Sequence, residues 1–328
     1  MPSSRIAIGK IARRALLKIA VRVTIVIVAS SAIGYLYILS SLESQTREQL
    51  EKYAIARTQQ EKSLFDLAQD NQSILKQELL RQLAERSDRN LSSEFDRLFV
   101  KYPDGVTRNR RENFDQKRQA SVFVDDEVTI NAEIQRRVLL FYHLANQYGS
   151  AWNNRFLNLY IVAPENFSAS YQPGFDYAAG LSNRAYEPGE EYFLVSDRKH
   201  NPQRKTVWTG IYYDRVLAKW MVSGVTPIDF GKRHVASIGT DVLLDELVKR
   251  TASDRFQGAY NIIFRSDGCL IAHPDLMPPG QMSVNRVEKL PLSLRLNTSK
   301  LKQNYRNSSI RLSPKLITKI DYKIFSAC

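Results

Sequence analysis

Between Val23 and Leu42 twenty consecutive residues carry no charge, and beyond them hydrophobic positions recur at a helical period. Leu64, Leu67 or Ala68, Leu75, Leu79 and Leu83 fall on one face, with Glu61, Lys62, Lys76 and Arg81 between them. The stretch from Glu43 to about Asn90 lacks Gly and Pro, so the pattern predicts a long helix whose apolar stripe is covered. A second helix is predicted over Glu127–Tyr148, where Ile130, Ile134, Val138, Phe141 and Tyr148 share a face and Gly149 stands as a stop. Phe156–Ala163 then reads as a strand ended by Pro164.

From Val207 the period becomes that of strands. Val207–Tyr213 and Lys219–Ile228 are rich in aromatic and β-branched residues, and the turn Asp229-Phe230-Gly231-Lys232 leads into a third strand, Val235–Gly239. Leu243, Leu244, Leu247 and Val248 then recur at helical spacing, with Asp245 and Glu246 early, where a helix N-terminus favours negative charge. A meander followed by a helix predicts an α+β domain built on one antiparallel sheet. Two stretches read differently. Residues 101–120, with Pro103-Asp104-Gly105 and dense mixed charge, suit a solvated loop. Residues 164–205 are irregular, with Tyr192–Val195 as the one expected strand, and suit a loop that covers a ligand.

Twenty apolar residues at 1.5 Å per residue span roughly 30 Å, the thickness of a bilayer core. The run continues past the small residues Ala29 to Ala32, which favours an uncleaved transmembrane anchor over a removed signal. Six basic residues and no acid precede it, which places the N-terminus in the cytoplasm and the bulk of the chain outside. This distribution changes the meaning of the net charge. Of the +13, residues 1–22 supply six and residues 280–328 supply eight, leaving the 257 residues between at −1. A nucleic-acid partner would require a basic stripe on the folded part, so none is expected.

Chemistry is narrowed by elimination. There is no Gly-rich phosphate loop, no G-x-S-x-G elbow and no H-E-x-x-H helix, so no enzyme and no cofactor are expected. The two cysteines, Cys269 and Cys328, and four scattered histidines offer no metal-ligand spacing. His143 reads as a core or surface imidazole. Arg198-Lys199-His200, with Arg204 and Lys205, is either an anion site or, as favoured here, a solvated turn. Trp220 is expected in the sheet core; Trp208 fits either the core or a pocket wall.

Three runs carry a family resemblance: W-T-x-x-Y-x-D (Trp208, Thr209, Tyr212, Asp214), W-M-V-S-x-x-T-P-I (Trp220–Ile228) and I-G-x-D (Ile238–Asp241). They resemble the membrane-distal module of double Cache sensor domains, and Asn261–Pro274 resembles the strand, turn and strand that open the membrane-proximal module. The resemblance covers roughly Leu42 to Pro274. It implies an extracytoplasmic small-molecule sensor of a bacterial receptor, closest to a sensor histidine kinase, with the long helix as stalk and homodimer interface. The expected organisation is a basic N-terminus (1–22), transmembrane helix (23–42), stalk helix (43–100), PAS-like distal module (101–258) and an incomplete second module (259–279). Residues 280–328 form an atypical basic tail, replaced or out of frame, of a truncated receptor.

The resemblance also implies a ligand site. Amino-acid-binding members pair an arginine in Arg-x-Trp-Tyr with the ligand carboxylate, while aspartates take the ammonium. Tyr212, Asp214 and Asp241 match the acidic half. The Arg-x-Trp-Tyr position falls on Glu190-Glu191-Tyr192-Phe193, so an acid replaces the arginine, although Arg184 lies close enough to substitute. The expected ligand-binding residues are therefore Tyr192, Phe193, Trp208, Tyr212, Asp214, Asp241 and Glu190. Two readings of the acids stay open: a pocket for a cationic amine, or structural hydrogen bonding. The alternative to a sensor is a membrane-anchored scaffold with a filled sheet face.

Overall fold

Alternate residues of the central strands face two different surroundings, and that period of two places the site. The computed structural model describes residues 3–85, 91–182, 191–252, 263–264 and 270–272. Helix α1 runs from Ser3 to Ala84 and is shared by two compact units, one up to Arg57 and one from Thr58.

The first unit is helix alone among the described residues. The apolar side chains of the uncharged run 23–42 are exposed; Ile25 is 62% and Leu36 64% exposed. By length and composition this helix can cross a membrane.

The second unit is α+β. After α1 come α2 (Ser92–Leu98), β1 (Phe99–Lys101), β2 (Thr107–Asn109), β3 (Ser121–Val124), α3 (Ala132–Trp152), β4 (Leu159–Ala163) and β5 (Phe167–Tyr171). A single helical turn, α4 (Glu191–Leu194), precedes β6 (Val207–Trp208), β7 (Tyr212–Asp214), β8 (Lys219–Phe230), β9 (Arg233–Leu243) and α5 (Leu244–Ala252). The strands form one antiparallel sheet in the order β1-β2-β3-β5-β4-β9-β8-β6, with β7 also paired to β8. A separate antiparallel pair, β10 (Ile263–Phe264) and β11 (Leu270–Ala272), lies where the second strand–turn–strand motif was expected.

One face of the sheet is covered by α3 and by the later turns of α1. Leu75 and Leu79 of α1, Val138, Phe141 and Leu144 of α3, Ile161, Ala169 and Ile238 join in one buried cluster. Each fully buried Leu or Phe there contributes roughly 1.5–3 kcal/mol. Leu64 and Ala68, about three and two turns before Leu75 on α1, pack with Trp208, Val222, Val242 and Leu247. A buried amide fixes the helix on the sheet: Gln72 donates to Gly224 O (2.8 Å) and Thr240 Oγ1 (3.0 Å), and accepts from Thr226 Oγ1 (2.6 Å). The opposite face carries Tyr160, Val162, Ser168, Ser170, Ser223 and Asp241, beneath the segment around Tyr177 and Tyr192.

The structure corrects several expectations. The stalk is not one helix to residue 100; α1 stops at Ala84 and α2 is separate. Ala68, not the 38%-exposed Leu67, faces the core. Helix α3 starts later than Glu127, because Asn131 caps it by accepting from Ile134 N (2.9 Å). Gly149 does not stop this helix; it lies within it, and the Tyr171 ring occupies the space a Cβ would fill. Within 101–120, β2 is a strand with Thr107 and Asn109 buried, since Asn109 accepts from Val122 N (2.6 Å) and donates to Ala120 O (3.1 Å).

The expected strand Tyr192–Val195 is the helical turn α4; its aromatics follow the covering segment instead of pairing with a sheet edge. The expected strand Val207–Tyr213 is split into β6 and β7. At the break Thr209 Oγ1, not a carbonyl, accepts from Ser223 N (2.9 Å), so a side chain replaces a rung of the ladder. Trp220 is half-buried beside Tyr213 (5.2 Å between ring centroids) and not in the core. As the favoured solvated turn requires, Arg198, Lys199 and Lys205 are exposed, while Arg198 and Arg204 pair with Asp229 and His200 with Asp197. Exposed His143 meets Glu94 (3.0 Å). Cys269, His273, Pro274, Cys328 and the 280–328 tail lie outside the described residues.

Candidate functional site

The floor of the site is set by strand alternation. On β4, Leu159, Ile161 and Ala163 enter the helix-side core, which turns Tyr160 and Val162 to the other face. On β5, Phe167, Ala169 and Tyr171 do the same and leave Ser168 and Ser170 there. Asn158, just before β4, and Asp241, near the end of β9, close one side. Tyr212 and Asp214 of β7, Tyr177 and Tyr192 close the others, around a small open-mouthed cavity of about 30 Å³.

Asp241 is the chemical centre. Its carboxylate accepts from Asn158 Nδ2 (2.6 Å) and from the Ser223 hydroxyl, and its own N–H donates to Asn158 Oδ1 (3.1 Å). Because Ser223 donates to the carboxylate, the Tyr212 hydroxyl at 2.7 Å donates to Ser223 Oγ, giving a relay Tyr212–Ser223–Asp241. Burial pushes the Asp241 carboxyl up to about 6; the Asp214 charge adds to this, while bonds from Ser223, Asn158 and Tyr160 act against it. Burial, followed by the Asp241 charge, also raises the Tyr212 phenol well above its ordinary value, so it stays a donor. Asp214 accepts from Tyr177 OH (2.7 Å) and from Leu217 N (2.6 Å).

No protein-family model matches the chain, and no curated protein does. Solved ligand-binding domains are similar to it. The ligand binding domain of Mlp24 with asparagine shares 23% identity over 38% of this chain and 50% of that one, at a TM-score of 0.30. That of the Pseudomonas aeruginosa PAO1 amino acid chemoreceptor PctB with L-Gln shares 18% over 41% and 51%, at 0.34. The sensory domain of the Campylobacter jejuni chemoreceptor Tlp3 shares 13% over 76% and 82%, at 0.45. The chain thus spans about half the length of the first two.

Of the seven expected residues, the fold brings Tyr192, Tyr212, Asp214 and Asp241 around one cavity. Trp208 is not there. It is 3% exposed on the helix side, edge-on to Phe65 at 4.7 Å, because the last residue of β6 faces away from β7's pocket residues. Phe193 lines a neighbouring cavity instead. Glu190 and Arg184 lie outside the described residues. Sequence reasoning missed Asn158, Tyr160, Ser168, Ser170 and Tyr177. The Ser-x-Ser alternation between Phe167 and Tyr171 was the available signal for two of them.

Gly239 marks how tightly the floor is built. It pairs with Tyr160 across β9 and β4, and a Cβ on it would lie 2.0 Å from the Tyr160 ring. Gly239→Ala is expected to displace that ring and cost about 1–3 kcal/mol, as overpacking does. Urea unfolding measures it; an unchanged midpoint would show that the ring has room to move.

Proposed function

We propose that this chain is the extracytoplasmic, ligand-binding part of a membrane-anchored receptor, and that its pocket takes a small molecule through an ammonium group. One observation carries the reading. Two buried carboxyls, Asp214 and Asp241, and four tyrosines, Tyr160, Tyr177, Tyr192 and Tyr212, surround the cavity, and no lysine or arginine is among its described lining residues. Carboxylates in such a site repel an anion and hold an ammonium by charge-assisted hydrogen bonds, and tyrosine faces add cation–π attraction. An open cavity also favours a sensor over a scaffold with a filled sheet face.

The motif runs around Trp208–Asp214 and Trp220–Asp241 support a double Cache assignment, and with it a histidine-kinase receptor, a homodimer along α1 and a non-enzymatic role. The apolar run and its six preceding cations support a single span with the N-terminus in the cytoplasm. Calorimetry of the protein in detergent against simple amines and ordinary amino acids tests the ligand class. Amines without a carboxylate are expected to bind more tightly than L-alanine or L-asparagine. Tight binding of an ordinary amino acid, with no amine bound, would sink the ammonium reading.

A further inference from the structure

We infer that the pocket reads the N–H donors of its ligand, and so selects a primary ammonium over N-methylated and quaternary ammonium ions. This rests on the reading of the pocket as an ammonium site, and it deepens that reading on two separate grounds, space and hydrogen bonding.

The cavity holds about 30 Å³. One water takes up roughly 10–15 Å³ on this measure, so there is room for about two water-sized groups. The nitrogen of a primary ammonium and its first carbon are two such groups, and the rest of the molecule leaves by the mouth. Tetramethylammonium, a nitrogen with four methyls, brings more than twice as many. The walls are braced against widening. The Tyr160 ring lies over Gly239, where a Cβ would come within 2.0 Å of it, while Tyr212 is tied to Ser223 (2.7 Å) and Tyr177 to Asp214 (2.7 Å).

The acceptors point the same way. An ionised carboxyl accepts at about four sites. Asp214 accepts from Tyr177 OH and Leu217 N, and Asp241 from Asn158, Ser223 and Tyr160, so both keep capacity for a further donor. Ser168 and Ser170, both buried, line the floor with hydroxyl oxygens that also accept. A primary ammonium brings three N–H donors to these groups, each methyl removes one, and tetramethylammonium has none. Aromatic cages for quaternary ions rely on ring faces. Here the tyrosine faces serve every member of that series, and the carboxylates decide between them.

The test titrates methylammonium, dimethylammonium, trimethylammonium and tetramethylammonium chlorides calorimetrically into the full chain in a neutral detergent. Affinity is expected to fall along the series. Tetramethylammonium should bind at least about a hundredfold more weakly than methylammonium, since each charge-assisted hydrogen bond lost costs roughly tenfold to a hundredfold. Tyr192→Ala removes a wall that stands on α4, outside the sheet, and is expected to narrow that gap at least about fivefold by relieving the crowding. Val162→Ala, on the floor, makes the same comparison if Tyr192→Ala does not fold. A gap unchanged in both variants would overturn the part assigned to space. Equal binding of all four ions, or tightest binding of tetramethylammonium, would overturn the inference while leaving the ammonium site standing. Binding of none of them removes both readings together.

Discussion

Asp241→Asn is expected to weaken binding of a simple amine by about thirtyfold to a few thousandfold, the 2–5 kcal/mol lost when one partner of a buried charge pair is neutralised. The pH profile is the sharper readout. An alkylammonium keeps its proton through neutral pH, so the titrating partner in this range is the Asp241 carboxyl near 6. Amine affinity should be nearly flat above pH 6 and fall up to about tenfold per pH unit below it; in the Asn variant this slope disappears. Stability of the ligand-free protein should move the other way. Between 3.8 and about 6 the folded carboxyl holds a proton that the unfolded chain has released, so stability declines as pH rises through that window. The decline amounts to roughly 3 kcal/mol and is absent in Asp241→Asn. Bound amine should offset it by stabilising the carboxylate. A variant that keeps the wild-type pH slope would show that another group titrates.

This carboxyl also shows what can be read before folding is known. Asp241, Asp214 and Tyr212 were legible because they sit in short motifs at the ends of strongly patterned strands. Tyr192 was legible only by counting back from Trp208, and the count gave the right side chain on the wrong element, a helical turn in place of a strand. Trp208 was misassigned because a period of two predicts alternation but not which face meets the helices. That choice was made by Phe65, more than a hundred residues away, against which the indole packs. Short strands were the main loss. Phe167–Tyr171 has three apolar residues, two of them aromatic, but its other face is serine and its neighbours are turns, so its pairing with β3 and β4 came from tertiary contacts alone. Thr107–Asn109 was hidden by charge on both sides, and its burial depends on the Asn109 amide satisfying β3. Asn158 had no local signal at all. It acquires a role only when β4 is laid beside β9 and its amide meets Asp241.

Arg137→Met is expected to destabilise the second unit by roughly 3–5 kcal/mol, toward the lower figure. Arg137 projects from α3 and is 3% exposed. Its guanidinium donates to both oxygens of Glu165 (2.7 and 3.0 Å) and to Val235 O (2.6 Å), and lies 5.0 Å from the centre of the Phe167 ring. One side chain therefore joins α3 to the β4–β5 turn and to β9, the strand that carries Asp241 six residues on. Burial alone would raise the Glu165 carboxyl, but the Arg137 bonds outweigh it and its pKa is lowered. Removing the arginine leaves Glu165 to Arg233, which is 56% exposed and a weaker partner, and leaves the Val235 carbonyl without this donor. A lysine cannot restore the fork, so Arg137→Lys should recover little. Because Glu165 is held ionised, the stability it contributes is present above the unfolded carboxylate pKa and fades as pH falls through the lowered folded value. Arg137→Met should lose that acid dependence as well as stability. The double variant Arg137→Met/Glu165→Leu separates the two costs: if the single loss is mainly an uncompensated buried charge, the second substitution returns a large part of it. Urea unfolding of the single and double variants at neutral pH measures both. A neutral single variant would mean that the α3-to-sheet join is held by apolar packing alone, with the ion pair as a bystander.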